Sequence, residues 1–136
     1  MPLLTNGGIA ARVADNSNLL FLQARDFEND IVLWKRVAGT FTQIGSTYSG
    51  AVVDGDTLKL TVNASNSIGA YLNGTLRIGP VTDSAGSANT KHGVMLYGFG
   101  TSNTVDTFSI TDNAGAAGAL PRSLYARQAV NRASRY

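Results

Sequence analysis

Between Thr57 and Val62 the chain alternates, with Leu58, Leu60 and Val62 apolar and Thr57, Lys59 and Thr61 polar. A period of two places the two sets on opposite faces of an extended segment and predicts a half-buried β-strand. Ile68, Ala70 and Leu72 repeat the pattern, and Asn73-Gly74 supplies two residues that tolerate positive φ, so a type I′ hairpin into "TLRIG" is expected. Upstream, "GIAARVA" (8–14), "NLLFLQAR" (18–25), "DIVLWKRV" (30–37) and "GTFTQIGS" (39–46) read as four β-prone runs joined by turns, a meander. Downstream, "VTDSAGSANTK" (81–91) reads as a loop and "HGVMLYGFG" (92–100) as a strand. In that strand Val94 and Leu96 face one way and Met95, Tyr97 and Phe99 the other. "TVDTFSIT" (104–111) closes the set. Nine short strands with no helical period before residue 120 predict an all-β protein, an antiparallel β-sandwich of jelly-roll type, with a barrel as the alternative.

Composition adds three constraints. The 136 residues suffice for one core, and 43% hydrophobic with 15% charged residues argues against general disorder. There is no cysteine, so neither disulfides nor thiolate metal sites are available. No stretch approaches a membrane helix, and "MPLLTNGG" lacks the charged and apolar regions of a signal peptide, so the expectation is a soluble protein without membrane attachment.

Charge divides the chain. Residues 1–112 hold all nine acids and seven of the eleven basic residues, which leaves that part at −2. The remaining +4 comes from Arg122, Arg127, Arg132 and Arg135. "NAGAAGALP" before them is small, uncharged and without alternation. The expected organisation is a β-sandwich domain over 1–112, a flexible linker over 113–121 and an extended arginine-rich C-terminal arm over 122–136.

The order "GIAARVADNSNLLFLQAR", "VLWKRVAGTFTQIG", "GDTLKLTVNASNSIGAYLNGTLRIG" and "HGVMLYGFGTSNTVDTFSIT" resembles the laminin-G-like branch of the concanavalin A-like lectin/glucanase superfamily. The matching positions are Arg12, Lys35, Gly39, Thr40, Gly55, Asp56, Tyr71, Asn73, Gly74, Gly93, Val105, Asp106 and Phe108. Because only seven residues precede the matched segment, the resemblance implies a sandwich that is shortened at its N-terminal side, or one whose missing edge is covered by another copy or another protein. Such domains occur as sugar-binding or hydrolytic modules and as parts of phage virions, and the Cys-free chain with an arginine tail is more similar to the second.

Glycoside hydrolysis needs two facing carboxylates, and the glucanases of that superfamily carry them in a Glu-rich strand motif. Here Glu28 is the single glutamate and falls in a predicted turn, so the expectation is a non-enzymatic protein. Asp106 shares a face with Phe108 and Ile110; a strand-end Asp bonded to backbone amides or to Arg12 is a better expectation for it than a ligand. "DGD" (54–56) and "TDS" (82–84) could offer oxygens to calcium, but neither has EF-hand spacing, and neither metal nor cofactor is expected. His92, the sole histidine, reads as a solvated or hydrogen-bonded surface residue.

Two groups of residues remain as binding candidates. Trp34, Tyr71, Tyr97 and Phe99 could form an aromatic platform for a sugar ring or a partner, with core or subunit packing as the plainer alternative. Arg122, Tyr125, Arg127, Arg132, Arg135 and Tyr136 suit docking on an acidic protein surface. The expected function is a virion structural or decoration protein fastened to a larger assembly by its arm, with other virion proteins and copies of itself as partners. A carbohydrate-binding adhesion module is the alternative, and nucleic-acid binding by the tail is disfavoured because the arginines do not form a lysine-rich patch.

Overall fold

In the computed structural model, residues 6–25, 28–53, 55–97, 103–112 and 122–130 are described. They form an all-β antiparallel sandwich. Sheet A contains β1 (Asn6–Asp15), β2 (Asn18–Arg25), β3 (Asp30–Val37), β4 (Thr40–Ser49) and β8 (Lys91–Tyr97). Sheet B contains β5 (Thr57–Val62), β6 (Ser67–Leu72), β7 (Thr75–Thr82), β9 (Asn103–Asp112) and β10 (Arg122–Val130). The strand orders are β4-β3-β2-β1-β8 and β7-β6-β5-β10-β9. Two meanders therefore do most of the building, and the chain crosses between sheets after β4, β7 and β8.

The alternation read from the sequence selects the inner faces. Ile9, Leu20, Leu22, Ile31 and Leu33 of sheet A pack against Leu58, Leu60, Ile68, Ala70 and Ile78 of sheet B in one buried cluster. Burial of side chains of this size is the main favourable term in such a fold, worth about 1.5–3 kcal/mol each. Asn73 and Gly74 take φ of 51° and 80°, as a type I′ turn requires. Asn73 Oδ1 accepts from Thr57 N at 3.0 Å, and its Nδ2 donates to Asp56 Oδ1 at 2.8 Å. The β3–β4 hairpin turns on Ala38 and Gly39, at φ 49° and 83°.

The outer face of sheet A is also apolar at its centre. Phe21 and Val32 are each 1% exposed and Ala10 and Leu19 are buried, although none of the four belongs to the inter-sheet core. Phe21 lies opposite Trp34 and Ala10 in the ladder. The apolar runs of β2 and β3 thus serve both faces of the sheet, which simple alternation does not reveal.

The C-terminal segment departs from the expected free arm. Arg122–Val130 is β10, paired with β5 from Arg122↔Val62 to Arg127↔Thr57 and with β9 from Arg122↔Asp112 to Val130↔Asn103. Leu124 and Ala126 fall opposite Leu60 and Leu58, so the period of two in "SLYARQA" matches a strand whose partners are both distant in sequence. The expected linker, 113–121, and the last residues, 131–136, lie outside the described residues.

Gly8 is the tightest point of the β1–β2 ladder: a Cβ there would sit 1.7 Å from the carbonyl oxygen of Leu22. Gly93 on β8 has open space around the same position. Gly8→Ala is expected to cost about 3 kcal/mol or more, because backbone must move, whereas Gly93→Ala should stay within about 0.5 kcal/mol. Urea midpoints of the two variants check this.

Candidate functional site

The charged residues of the described chain mostly tie strands and turns together. Arg25 donates to Asp30 in a bidentate pair, Nε to Oδ1 at 2.7 Å and Nη2 to Oδ2 at 2.6 Å, with Glu28 at 3.9 Å from its Nη1. Those contacts, led by the Asp30 hydrogen bond, raise the Arg25 pKa. Asp15 accepts from Ser17 N and the Asn18 side chain within its turn, and these bonds hold its carboxyl below the ordinary value. Asp56 Oδ2 accepts from Val53 N at 2.8 Å while its Oδ1 takes the Asn73 amide. Asp56 of the "DGD" stretch is therefore a turn residue; Asp54 lies outside the described residues.

The densest polar network centres on Arg12. This residue takes φ of 50°, uncommon for a side chain with a Cβ, at a bulge where the ladders to β2 and β8 both shift register. The residue is 4% exposed, and its guanidinium donates through Nη1 to the carbonyls of Asp83 (2.8 Å) and Ala85 (3.2 Å), and through Nη2 to Asn66 Oδ1 (2.8 Å). Burial lowers its pKa, and the Asp83 charge partly opposes that. The Asp83 carboxylate also accepts from Lys35 Nζ at 2.7 Å and from Ala85 N at 2.9 Å. For Asp83, burial acts to raise the pKa, but Lys35, the Ala85 amide and Arg12 together outweigh it and leave the carboxyl below its ordinary value. The "TDS" oxygens are therefore part of a loop clamp. His92 Nδ1 accepts from Arg12 N at 3.4 Å, so the histidine sits at this hydrogen-bonded end of the sandwich. Arg12 was the suggested partner for Asp106; its guanidinium goes instead to Asp83, Ala85 and Asn66. Asp106 falls at the register shift in β9, between the residues opposite Arg127 and Gln128.

A different chemistry faces outward on β3 and β4. Trp34, half-buried, donates from Nε1 to Gln23 Oε1 at 2.8 Å, which fixes the indole on the sheet. Phe41 meets Trp34 edge to face with centroids 6.1 Å apart, and the Arg36 guanidinium lies 4.9 Å over the Phe41 ring. Arg36 also donates to the carbonyls of Asn16 and Gly39. Phe41 is 38% exposed, so the hairpin end presents an aromatic surface braced by an arginine and an amide.

The four aromatics proposed from the sequence do not form one platform. Trp34 belongs to the outer face of sheet A, whereas Tyr71 lies on the outer face of sheet B with Lys59 Nζ 4.6 Å over its ring. Tyr97 ends β8, with Asn6 as its backbone neighbour, and Phe99 lies outside the described residues. Phe41, Arg36 and Gln23, absent from the sequence-based set, are the actual neighbours of Trp34. Their signal was the Ala38-Gly39 turn, which fixes Arg36 opposite Phe41 and Trp34 opposite Gln43. Of the six tail residues, Arg122, Tyr125 and Arg127 are backbone members of β10, and Tyr125 is in register with Lys59. Arg132, Arg135 and Tyr136 lie outside the described residues.

Among the described residues no group of three or more His, Cys, Asp or Glu converges as a metal site, and no helix is long and apolar enough to cross a membrane. No family model, curated protein or solved structure matches the chain.

The clamp has measurable consequences. Arg12→Met strands two loop carbonyls and the Asn66 amide, and is expected to cost about 3 kcal/mol by urea denaturation. Lys35→Met, at a partly exposed pair, should cost about 1 kcal/mol. Because the folded Asp83 carboxyl lies below its ordinary value of 3.8, its contribution is present at neutral pH and lost as pH falls through the lower folded value. The gap between wild type and Lys35→Met should hold constant above about pH 5 and shrink below about pH 4.

Proposed function

We propose that the protein is a non-enzymatic structural module, a virion structural or decoration protein that fastens to a larger assembly through the residues following β10. The placement of β10 carries this reading. A strand bonded on both sides, to β5 and to β9, anchors whatever follows Val130, and Arg132, Arg135 and Tyr136 follow it directly. Pulling on that segment loads two ladders in shear, so attachment does not peel an edge strand away. Arginine and tyrosine are among the residue types enriched where protein partners bind tightly, and repeated weak contacts over a symmetric particle add up to high avidity. In this reading the two five-stranded sheets, with crossovers after β4, β7 and β8, are a shortened jelly roll of the concanavalin A-like kind.

The second reading, a carbohydrate-binding adhesion module, draws on the β3–β4 surface. A Trp34 bonded to Gln23 beside an exposed Phe41 offers an aromatic surface of the kind on which sugar rings stack, and Gln43 lies opposite Trp34 in the ladder.

Particles encoded with this chain, purified through a density gradient and quantified by mass spectrometry, should contain it in a fixed copy number. Deleting residues 131–136 is expected to leave the Trp34 emission and the denaturation midpoint unchanged while the chain no longer sediments with the particle. Deleting 122–136 removes a strand from within sheet B and should unfold the domain. Absence of the chain from the particle, or full retention after the shorter deletion, refutes the attachment reading. Glycan binding that disappears in Trp34→Ala would establish the adhesion role instead.

A further inference from the structure

On the outward surface of β3 and β4 two glutamines are each bonded at one end only. A glutamine amide carries a donor nitrogen and an acceptor oxygen, and a partner that can only donate or only accept fixes which end remains. Trp34 Nε1 only donates, so its 2.8 Å bond takes Oε1 of Gln23 and leaves the Nε2 donors. The Gly45 carbonyl only accepts, so its 3.3 Å bond takes Nε2 of Gln43, which also donates to Thr47 Oγ1 at 3.0 Å, and Oε1 remains. Among the described residues nothing bonds to either remaining end.

These two amides stand on either side of one indole. Gln43 lies directly opposite Trp34 on β4, and Gln23, opposite Val32, is one diagonal step away on β2. Gln43 is exposed while Gln23 and Trp34 are half-buried, so all three reach solvent on the same face of sheet A. Phe41, 38% exposed, adds a second ring edge to face with the first.

The charge on this surface is already balanced. The Arg36 guanidinium bonds the carbonyls of Asn16 and Gly39, lies over the Phe41 ring, and is close enough to Asp15 to help hold that carboxyl below its ordinary value. Residues 37–53 contain no charged side chain. An anion lying here finds no unpaired cation to replace its hydration, whereas a neutral polar ligand does not need one.

We propose that Gln23 and Gln43 select an uncharged sugar on this surface, with Gln23 donating to the ligand on one flank of Trp34 and Gln43 accepting from a hydroxyl on the other. A sugar is the occupant because each of its hydroxyls both donates and accepts, so one molecule satisfies a donor-only flank and an acceptor-only flank while its C–H face lies against the rings. The two glutamines are two strand spacings apart, about 10 Å, so they meet opposite sides of the ligand rather than one hydroxyl. A peptide added along the β4 edge bonds the backbone of that strand instead and is indifferent to Gln23. The proposal rests on the carbohydrate reading of this surface and adds which sugars it accepts and which residues choose them.

Calorimetric titration of the full-length protein with cellohexaose, maltohexaose and mannohexaose, each compared with hexagalacturonate, tests it. At least one neutral oligosaccharide is expected to bind, and the acidic one at least tenfold more weakly. Gln23→Glu keeps an acceptor for Trp34 Nε1 and removes the outward donors. Gln43→Lys keeps a donor for the Gly45 carbonyl and removes the outward acceptor. Each variant should weaken neutral binding about tenfold, the effect of leaving one hydrogen-bonding group of the ligand unpaired, with the urea midpoint unchanged. Two results overturn selection by Gln23 and Gln43 while the carbohydrate reading stands: binding of the acidic sugar alone, or neutral binding that Trp34→Ala abolishes and both glutamine variants retain. Absence of binding to any of these sugars overturns both. Where Gln43→Lys fails to fold, Gln23→Glu decides by itself.

Discussion

A single buried guanidinium holds one end of this molecule together. Arg12 binds two carbonyls of the loop after β7 and the side chain of Asn66 in the turn after β5, and so joins sheet A to two connections of sheet B. Removing such a cation from water is costly unless several acceptors replace its hydration. The Asp83 segment does this twice, with backbone carbonyls that bond the guanidinium and with a carboxylate that lies near it while bonding Lys35 from β3. The positive φ of Arg12 follows from the same demand: the bulge in β1 turns a strand residue toward the end of the sandwich, and the network offsets the strain.

The core-facing strands were legible because their information is local. Leu58, Leu60 and Val62 alternate visibly, Asn73-Gly74 names its own turn, and the expected boundaries of the upstream strands lie within a few residues of β1 to β4. The tenth strand was read as an arm because its partners, β5 and β9, are set by tertiary pairing, while four arginines and a small, uncharged approach are the strongest local features. Arg12 was visible as the lone charge in an apolar strand, but its ligands come from residues 66, 83 and 85, which alternation cannot bring to it. The aromatic set failed for a similar reason. Sequence position identifies Trp34 and Tyr71 as outward-facing but does not say that they belong to different sheets.

Charge in the described chain is used mainly for architecture. Arg25 with Asp30, Lys35 with Asp83, and Asp56 with the turn that ends β6 each fix a connection between strands. The outward aromatic surface is held by the Gln23 amide, a ring contact and the Arg36 cation over Phe41 rather than by an ion pair, whereas the Lys35–Asp83 pair is the kind of contact that salt and acid weaken.

The Asn73-Gly74 turn has a further consequence for the lifetime of the molecule. An asparagine followed by glycine is the dipeptide most prone to deamidation, which begins when the following backbone nitrogen attacks the side-chain carboxamide. Here the carboxamide is held at both ends, its oxygen by the Thr57 amide and its nitrogen by the Asp56 carboxylate, within a turn of fixed geometry. Reaching the cyclic imide requires breaking both bonds and distorting the hairpin. The native fold therefore protects this fragile linkage, and ageing at this site proceeds through molecules whose β6–β7 hairpin has opened.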